Sequence, residues 1–149
     1  MKPCDPHAAV SVVWHRDPAV DEDRSDIGPD YMIEAVESPS IWRDKLVMRE
    51  GAEPVEWVIG VVPPSDMNYA ESMPGGQSRM WYIFLRAVRD IRGNNGLGEP
   101  KKIERDGVKY VDPEWLAKVM AGPNRRCALD LGLIAYRWQD LAGGDLKNS

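Results

Sequence analysis

The sequence predicts an α+β fold: an N-terminal antiparallel β-hairpin sheet with three to four helices packed on it, and a small second hairpin between helices. Three observations carry that prediction. Val55 to Val62 is an almost continuous apolar run closed by Pro63-Pro64, the pattern of a strand buried on both faces or central in its sheet. Between Gln77 and Arg92, the residues Trp81, Phe84, Leu85, Val88 and Ile91 recur at helical spacing and form one apolar stripe. Strand-like segments come early and helical ones late, which separates this class from a regular β–α alternation.

The elements follow in chain order. Residues 1–40 read as an irregular acidic arm, interrupted by Pro3, Pro6, Pro18, Pro29 and Pro39 and carrying the cluster Asp21, Glu22, Asp23 and Asp26. Such a stretch has too little apolar surface to order itself well. Within it, Val10 to Trp14 reads as a short strand, and Tyr31 to Val36 as a second. A single α+β domain is expected over 41–144. It opens with a hairpin: Trp42, Leu46 and Met48 on one strand, a turn at Glu50-Gly51-Ala52-Glu53-Pro54, and the return strand Val55 to Val62.

Ser65 is placed to cap a helix reaching about Met73, with Asp66 in its first turn and Pro74-Gly75-Gly76 breaking it. The helix Gln77 to Arg92 stops at Gly93. After a glycine-rich loop, Lys101 to Val111 forms the small hairpin around Asp106-Gly107, a two-residue turn signal. Asp112-Pro113 starts a short helix, cap first and proline at the first helical position, with Trp115, Leu116, Val119 and Met120 as its apolar face. Gly122-Pro123 separates it from the last helix. There Cys127, Leu131, Ile134, Trp138 and Leu141 share one register, and Leu129, Leu133 and Tyr136 make a second strip. A helix apolar on two sides is buried between elements or offers one side to a partner. Gly143-Gly144 ends it, leaving 145–149 as a short tail.

At 149 residues the chain fits one domain and can bury a core without a metal or disulfide. Its 6 tryptophans beside 1 phenylalanine read mainly as core. Cys4 and Cys127 make no disulfide framework and suit a reducing compartment. No apolar h-region follows Lys2, and no apolar run approaches a membrane span, so the chain is expected in the cytoplasm. The net charge of −5 is unevenly spread. Residues 1–76 hold 6 basic and 15 acidic side chains, whereas 77–109 hold 8 basic and 4 acidic. Segregation of that kind suits two regions that attract each other, within one molecule or between copies.

Candidate chemistry is sparse. Gly93, Gly96 and Gly98 do not make a phosphate loop, because no Lys-Ser or Lys-Thr follows and the stretch leaves a helix instead of opening one. Asp23, Ser25, Gly28 and Glu34 match four positions of a calcium loop, but Ile27 occupies a ligand position and Pro29 sits badly at the turn. Cys4 and His7 have C-x-x-H spacing, yet a zinc site would also need the distant His15 and Cys127. No serine lies in a nucleophile elbow. The sequence therefore predicts no catalytic, cofactor-binding or metal-binding residues, and no enzyme. Carboxylates are abundant, so a small hydrolase using two of them is the third functional hypothesis, though nothing in the sequence marks a pair. The basic stretch Arg79, Arg86, Arg89, Lys101 and Lys102, with Arg105 and Lys109, could form a nucleic-acid-binding face with Tyr82 interleaved. Its simpler reading is a face that answers the acidic N-terminal half.

From about Ile41 to Leu141 the order of elements resembles the small tail assembly chaperones of tailed bacteriophages. The likeness lies in Trp42-Arg43-Asp44-Lys45-Leu46-Val47-Met48-Arg49 with Glu53-Pro54-Val55-Glu56-Trp57 returning, in the amphipathic stretch Met80 to Ile91 running into its Gly/Asn/Glu-Pro loop, and in Asp112-Pro113-Glu114-Trp115-Leu116 before a leucine-rich final helix. The resemblance implies a protein that does no chemistry and binds tail components, including the tape-measure protein, before tail polymerisation. Its partners would be other phage structural proteins and, in a homo-oligomer, itself, with no membrane and no cofactor. Trp115, Leu133, Tyr136 and Trp138 are the expected contact residues. The acidic arm lies outside this likeness. An extended arm suits a structural component of the virion (tail, connector or baseplate), which is the alternative. A nucleic-acid-binding accessory protein using 79–109 is another.

Overall fold

The computed structural model describes the backbone of residues 6–93 and 96–148, and the side chains as far as Gln139. The fold is α+β, with an early antiparallel sheet, helices packed on it and a small hairpin set between helices. Strands β1 (Ala9–Val12), β2 (Glu56–Gly60) and β3 (Val88–Arg92) form the three-stranded sheet in the order β1-β2-β3. The apolar run leading to Pro63 thus supplies the central strand. Ala9 to Val12 pair with Gly60 to Trp57, and Glu56 to Ile59 pair with Arg92 to Val88.

The partner of that central strand differs from the expected one. Trp42–Lys45 is a single helical turn, α2, following a 3-10 turn at Pro39–Ile41, and Met48 makes only an isolated bridge to Val20. Trp42 and Leu46 are buried four apart with Asp44 between them exposed, as on a helical turn; a strand burying both would have turned Asp44 inward as well. The Trp42 indole N–H donates to the Ser11 carbonyl at 2.9 Å, fastening this turn to β1.

The expected acidic arm is likewise corrected over its described residues. Val12, Val13, Val20, Tyr31 and Ala35 belong to the main core cluster, so residues 9–41 are part of the body. Tyr31–Glu37 is the helix α1, not a strand: its buried residues Tyr31 and Ala35 are again four apart. The acidic segment is tied down by Asp21 N–H to Val47 C=O at 2.8 Å, by Asp26 N–H to Lys45 C=O at 2.8 Å, and by Lys45 Nζ to Glu34 at 2.6 Å.

Helix α3 (Pro64–Glu71) starts at its proline; Ser65 makes no capping bond. Helix α4 (Gly76–Ala87) ends five residues before Arg92 and passes directly into β3. The pairing explains why the stripe misleads. Val58 faces Asp90 and Ile59 faces Val88, so Arg89 is the extra residue of a β-bulge. The bulge lets Val88 and Ile91, three apart, both point into the core, imitating helical spacing within a strand.

Strands β4 (Lys102–Arg105) and β5 (Val108–Val111) make the predicted hairpin, with Asp106 at φ 52° and Gly107 at φ 78° as a two-residue turn of left-handed residues. Asp112 caps α5 (Pro113–Val119) by accepting from the Glu114 N–H at 3.0 Å. Helix α6 (Arg125–Asn148) runs through Gly143-Gly144, so the predicted stop and the tail from 145 are not formed. Its glycine Gly132 lies against the Met80 carbonyl of α4, where any Cβ would collide. Phe84, Ile59, Ile83, Leu116 and Leu131 are fully buried where sheet and helices meet, with the Trp57 and Phe84 rings 5.6 Å apart.

Candidate interaction surface

Helix α1 buries Tyr31 and Ala35, leaves Met32 and Val36 half-buried at the edge of the core, and turns Ile33 out to solvent. Helix α6 lies alongside it and contributes Leu133, Tyr136 and Arg137. With Met80 of α4 and Glu37 at the end of α1, these residues line an open groove of about 710 Å³. Ile33 is 61% exposed and Leu133 39%, two of the three large apolar side chains exposed among the described residues. The third, Tyr69, lies elsewhere, 4.9 Å from Tyr82. Isolated exposed apolar residues are ordinary, but two flanking one apolar groove are not scattered singly. Glu37 and Arg137 are the charged residues of the lining, one of each sign, and neither forms an ion pair among the described residues.

Of the four predicted contact residues, the structure brings Leu133 and Tyr136 into this groove. The Tyr136 hydroxyl donates to Glu71 at 2.7 Å, and the Arg79 guanidinium sits 5.9 Å from its ring. Trp115 and Trp138 are half-buried against the core and do not line the groove. Sequence reasoning missed Met32, Ile33 and Val36. The signal was present, since Tyr31, Ala35 and Met32, Val36 each stand at i, i+4 spacing, but five prolines obscured it.

The five residues of the expected basic face do not form one. Arg79 donates to the Ala70 and Met73 carbonyls at the end of α3. Arg89 is buried, donates to the Pro6 and Val61 carbonyls, and stacks 4.5 Å from the Tyr110 ring centre. Arg86 covers Tyr82 at 3.7 Å and stands 3.9 Å from Asp66, which Arg105 also reaches at 3.1 Å. Lys101 and Lys102 stay exposed and pair with Asp112 and Asp90. Asp66 is thus where the acidic half meets the basic stretch.

A second cleft of about 500 Å³ holds Trp14, Asp17, Trp57, Asn124 and Cys127. Its polar groups serve the fold. Asp17 accepts from the Ala19 and Val55 backbone N–H groups at 2.8 and 3.1 Å. Burial pushes the Cys127 thiol well above its ordinary value, and the nearby Asp130 and Asp17 push it further, so the nucleophilic thiolate is disfavoured. Burial also lowers the His15 pKa; Arg16 and Arg126 add to this, and Asp130 and Glu22 oppose it. Of the calcium-loop residues, Ser25 bonds Asp21 C=O and Val47 N–H, and Glu34 holds Lys45. Cys4 lies outside the described residues. Among the described residues no group of three or more His, Cys, Asp or Glu side chains could hold a metal ion, and no helix is long and apolar enough to cross a membrane.

The chain matches no protein-family model, no curated protein and no solved structure.

Proposed function

We propose that the chain is a non-enzymatic protein–protein interaction module of phage-type tail morphogenesis, an assembly chaperone that holds tail components through the groove between α1 and α6. The observation that carries the interaction role is that groove: an apolar lining with Ile33 and Leu133 exposed on it. A trough between two helices accepts an amphipathic segment, whose apolar residues enter while its polar side stays wet. Met32 and Met80 give the lining soft, adaptable side chains, which suits a protein that holds more than one sequence.

The tail-assembly context rests on the sequence resemblance. Of its three segments, the amphipathic stretch from Met80 begins within α4, and Asp112-Pro113 starts α5 before the long α6. The Trp42–Trp57 segment is not a hairpin, and the likeness is weaker by that part. The virion-component alternative loses the extended arm that motivated it, because residues 9–41 pack into the body. The nucleic-acid alternative loses Arg79 and Arg89 to internal carbonyls.

The test is binding of the purified chain, by calorimetry, to any tail polypeptides encoded in its gene cluster, the tape-measure protein first. Micromolar binding is expected. Ile33→Asp should weaken it about tenfold or more, the effect of losing one well-packed apolar contact. Ile33 is exposed, so the folded state should tolerate the change. Absence of binding to every such polypeptide, or binding indifferent to Ile33→Asp and Leu133→Asp, refutes the proposal.

A further inference from the structure

The geometry points to a second copy of this chain as an occupant of the α1–α6 groove, through a two-fold, isologous contact; this rests on the groove being an interaction surface. A two-fold interface uses the same patch on both molecules, so the patch must be complementary to itself. Shape is compatible with that condition: Ile33, 61% exposed, is part of the wall of an open trough with Met32, Val36, Met80 and Leu133, so one face offers both exposed apolar surface and a concavity to take it.

Charge meets it too. Glu37 and Arg137 are the charged pair of the lining, opposite in sign and outside any intramolecular ion pair among the described residues. Across a two-fold axis, Glu37 of one copy meets Arg137 of the second, and Arg137 of the first meets Glu37 of the second. The contact is then neutral and doubly paired. By contrast, the acids of the neighbouring segment are already engaged: Glu34 and Asp26 hold Lys45, and Glu71 receives the Tyr136 hydroxyl. A patch built for an unrelated partner need not balance its own charge. A face this small supports a weak, concentration-dependent dimer, not an obligate one.

The test is sedimentation equilibrium of the full chain from about 1 μM to about 1 mM. The wild type should dimerise in the micromolar to submillimolar range. Glu37→Arg alone and Arg137→Glu alone each set two like-charge pairs against each other and should weaken self-association about tenfold. Mixing these two variants should restore it as a mixed dimer, because one chain then carries only bases at the two positions and the other only acids. Circular dichroism of each variant verifies the fold. A wild type that stays monomeric throughout, single variants that dimerise like the wild type, or a mixture that fails to recover would each overturn the inference. A monomeric wild type that still binds a tail polypeptide through Ile33 would overturn self-association alone and leave the proposed function standing.

Discussion

Gln139→Leu is expected to unfold the protein earlier than any conservative surface change, for reasons that can be worked through bond by bond. The Gln139 side chain is 9% exposed, accepts the Val62 N–H at 2.8 Å and donates to the Gly60 carbonyl at 2.9 Å. It continues the hydrogen bonding of β2 past the last strand residue, using an amide from α6 as if it were another backbone unit. Leucine has a similar size and neither function, so little cavity opens. Each orphaned backbone group costs about 1–3 kcal/mol when buried, and the added apolar burial returns about 1–2 kcal/mol. The net loss is about 3 kcal/mol, which in a domain of this size lowers Tm by roughly 5–10 °C. Thermal and urea unfolding measure it, with the urea m-value expected to stay constant. A fall of under about 2 °C would show that water or a shifted backbone satisfies both groups and that the stitch is not structural. Gln139→Glu separates the two halves of the bond. It keeps the acceptor for Val62 but faces an anionic oxygen toward the Gly60 carbonyl. Its carboxyl pKa should be raised in the folded state, so this variant gains stability below the ordinary carboxylate range and loses it as pH rises.

Two further outcomes test the packing and the electrostatics. Gly132→Ala adds a methyl where α6 touches the Met80 carbonyl; overpacking of about 1–3 kcal/mol should outweigh the helix-propensity gain of about 1 kcal/mol, and a stabilised variant in chemical denaturation would refute that close approach. His15 is held below its ordinary value of 6.5, first by burial, so the unfolded chain binds the proton more readily; stability should be full above pH 6.5 and fall as pH drops below it, and His15→Gln should flatten the urea midpoint over that window. The Asp90 carboxyl does not confuse this measurement. Its burial is outweighed by bonds from Lys102, the Ile91 N–H and Arg92, so its pKa is lowered: its contribution is full above the ordinary value of 3.8 and is lost as pH falls from there through the lowered one, beneath the His15 window.

The parts of the fold legible in the sequence are those where local chemistry and tertiary structure agree. Asp106-Gly107, Asp112-Pro113 and the Val55 to Val62 run each specify a local conformation that the packed protein keeps. The failures occur where a local pattern has two solutions. Val88 and Ile91 satisfy a helix as well as a bulged strand, and only the register against Trp57 and Ile59 decides between them. Trp42 and Leu46 read as strand because they neighbour a real strand, whose actual partner starts some thirty residues earlier at Ala9. Prolines made residues 9–41 look unable to order, but Val12, Val20, Tyr31 and Ala35 bury their surface against later elements, which composition of the segment alone does not show. Part of the candidate surface was legible for the same reason: Leu133 and Tyr136 sit in a long, strongly periodic helix, whereas Ile33 sits in a helix of seven residues.

Three features suggested a chain that works by contact: segregated charge, an acidic arm and apolar helix faces. Two of them are accounted for inside the molecule. The acidic half and the basic stretch meet at Asp66, which holds Arg86 and Arg105, and the acidic segment is fastened by Lys45 through Asp26 and Glu34. Neither requires a partner. The apolar faces behave differently. Trp115 and Trp138 lean on the core, but Ile33 and Leu133 keep their surface in water, flanking a trough with an acid and a base among its lining residues. Met32 and Val36 of the lining help pack α1 on the core, but α1 is anchored mainly by Tyr31 and Ala35, and the exposed Ile33 adds little to its stability. Under the proposed function this exposed surface is what a partner covers, and a single substitution at Ile33 tests it.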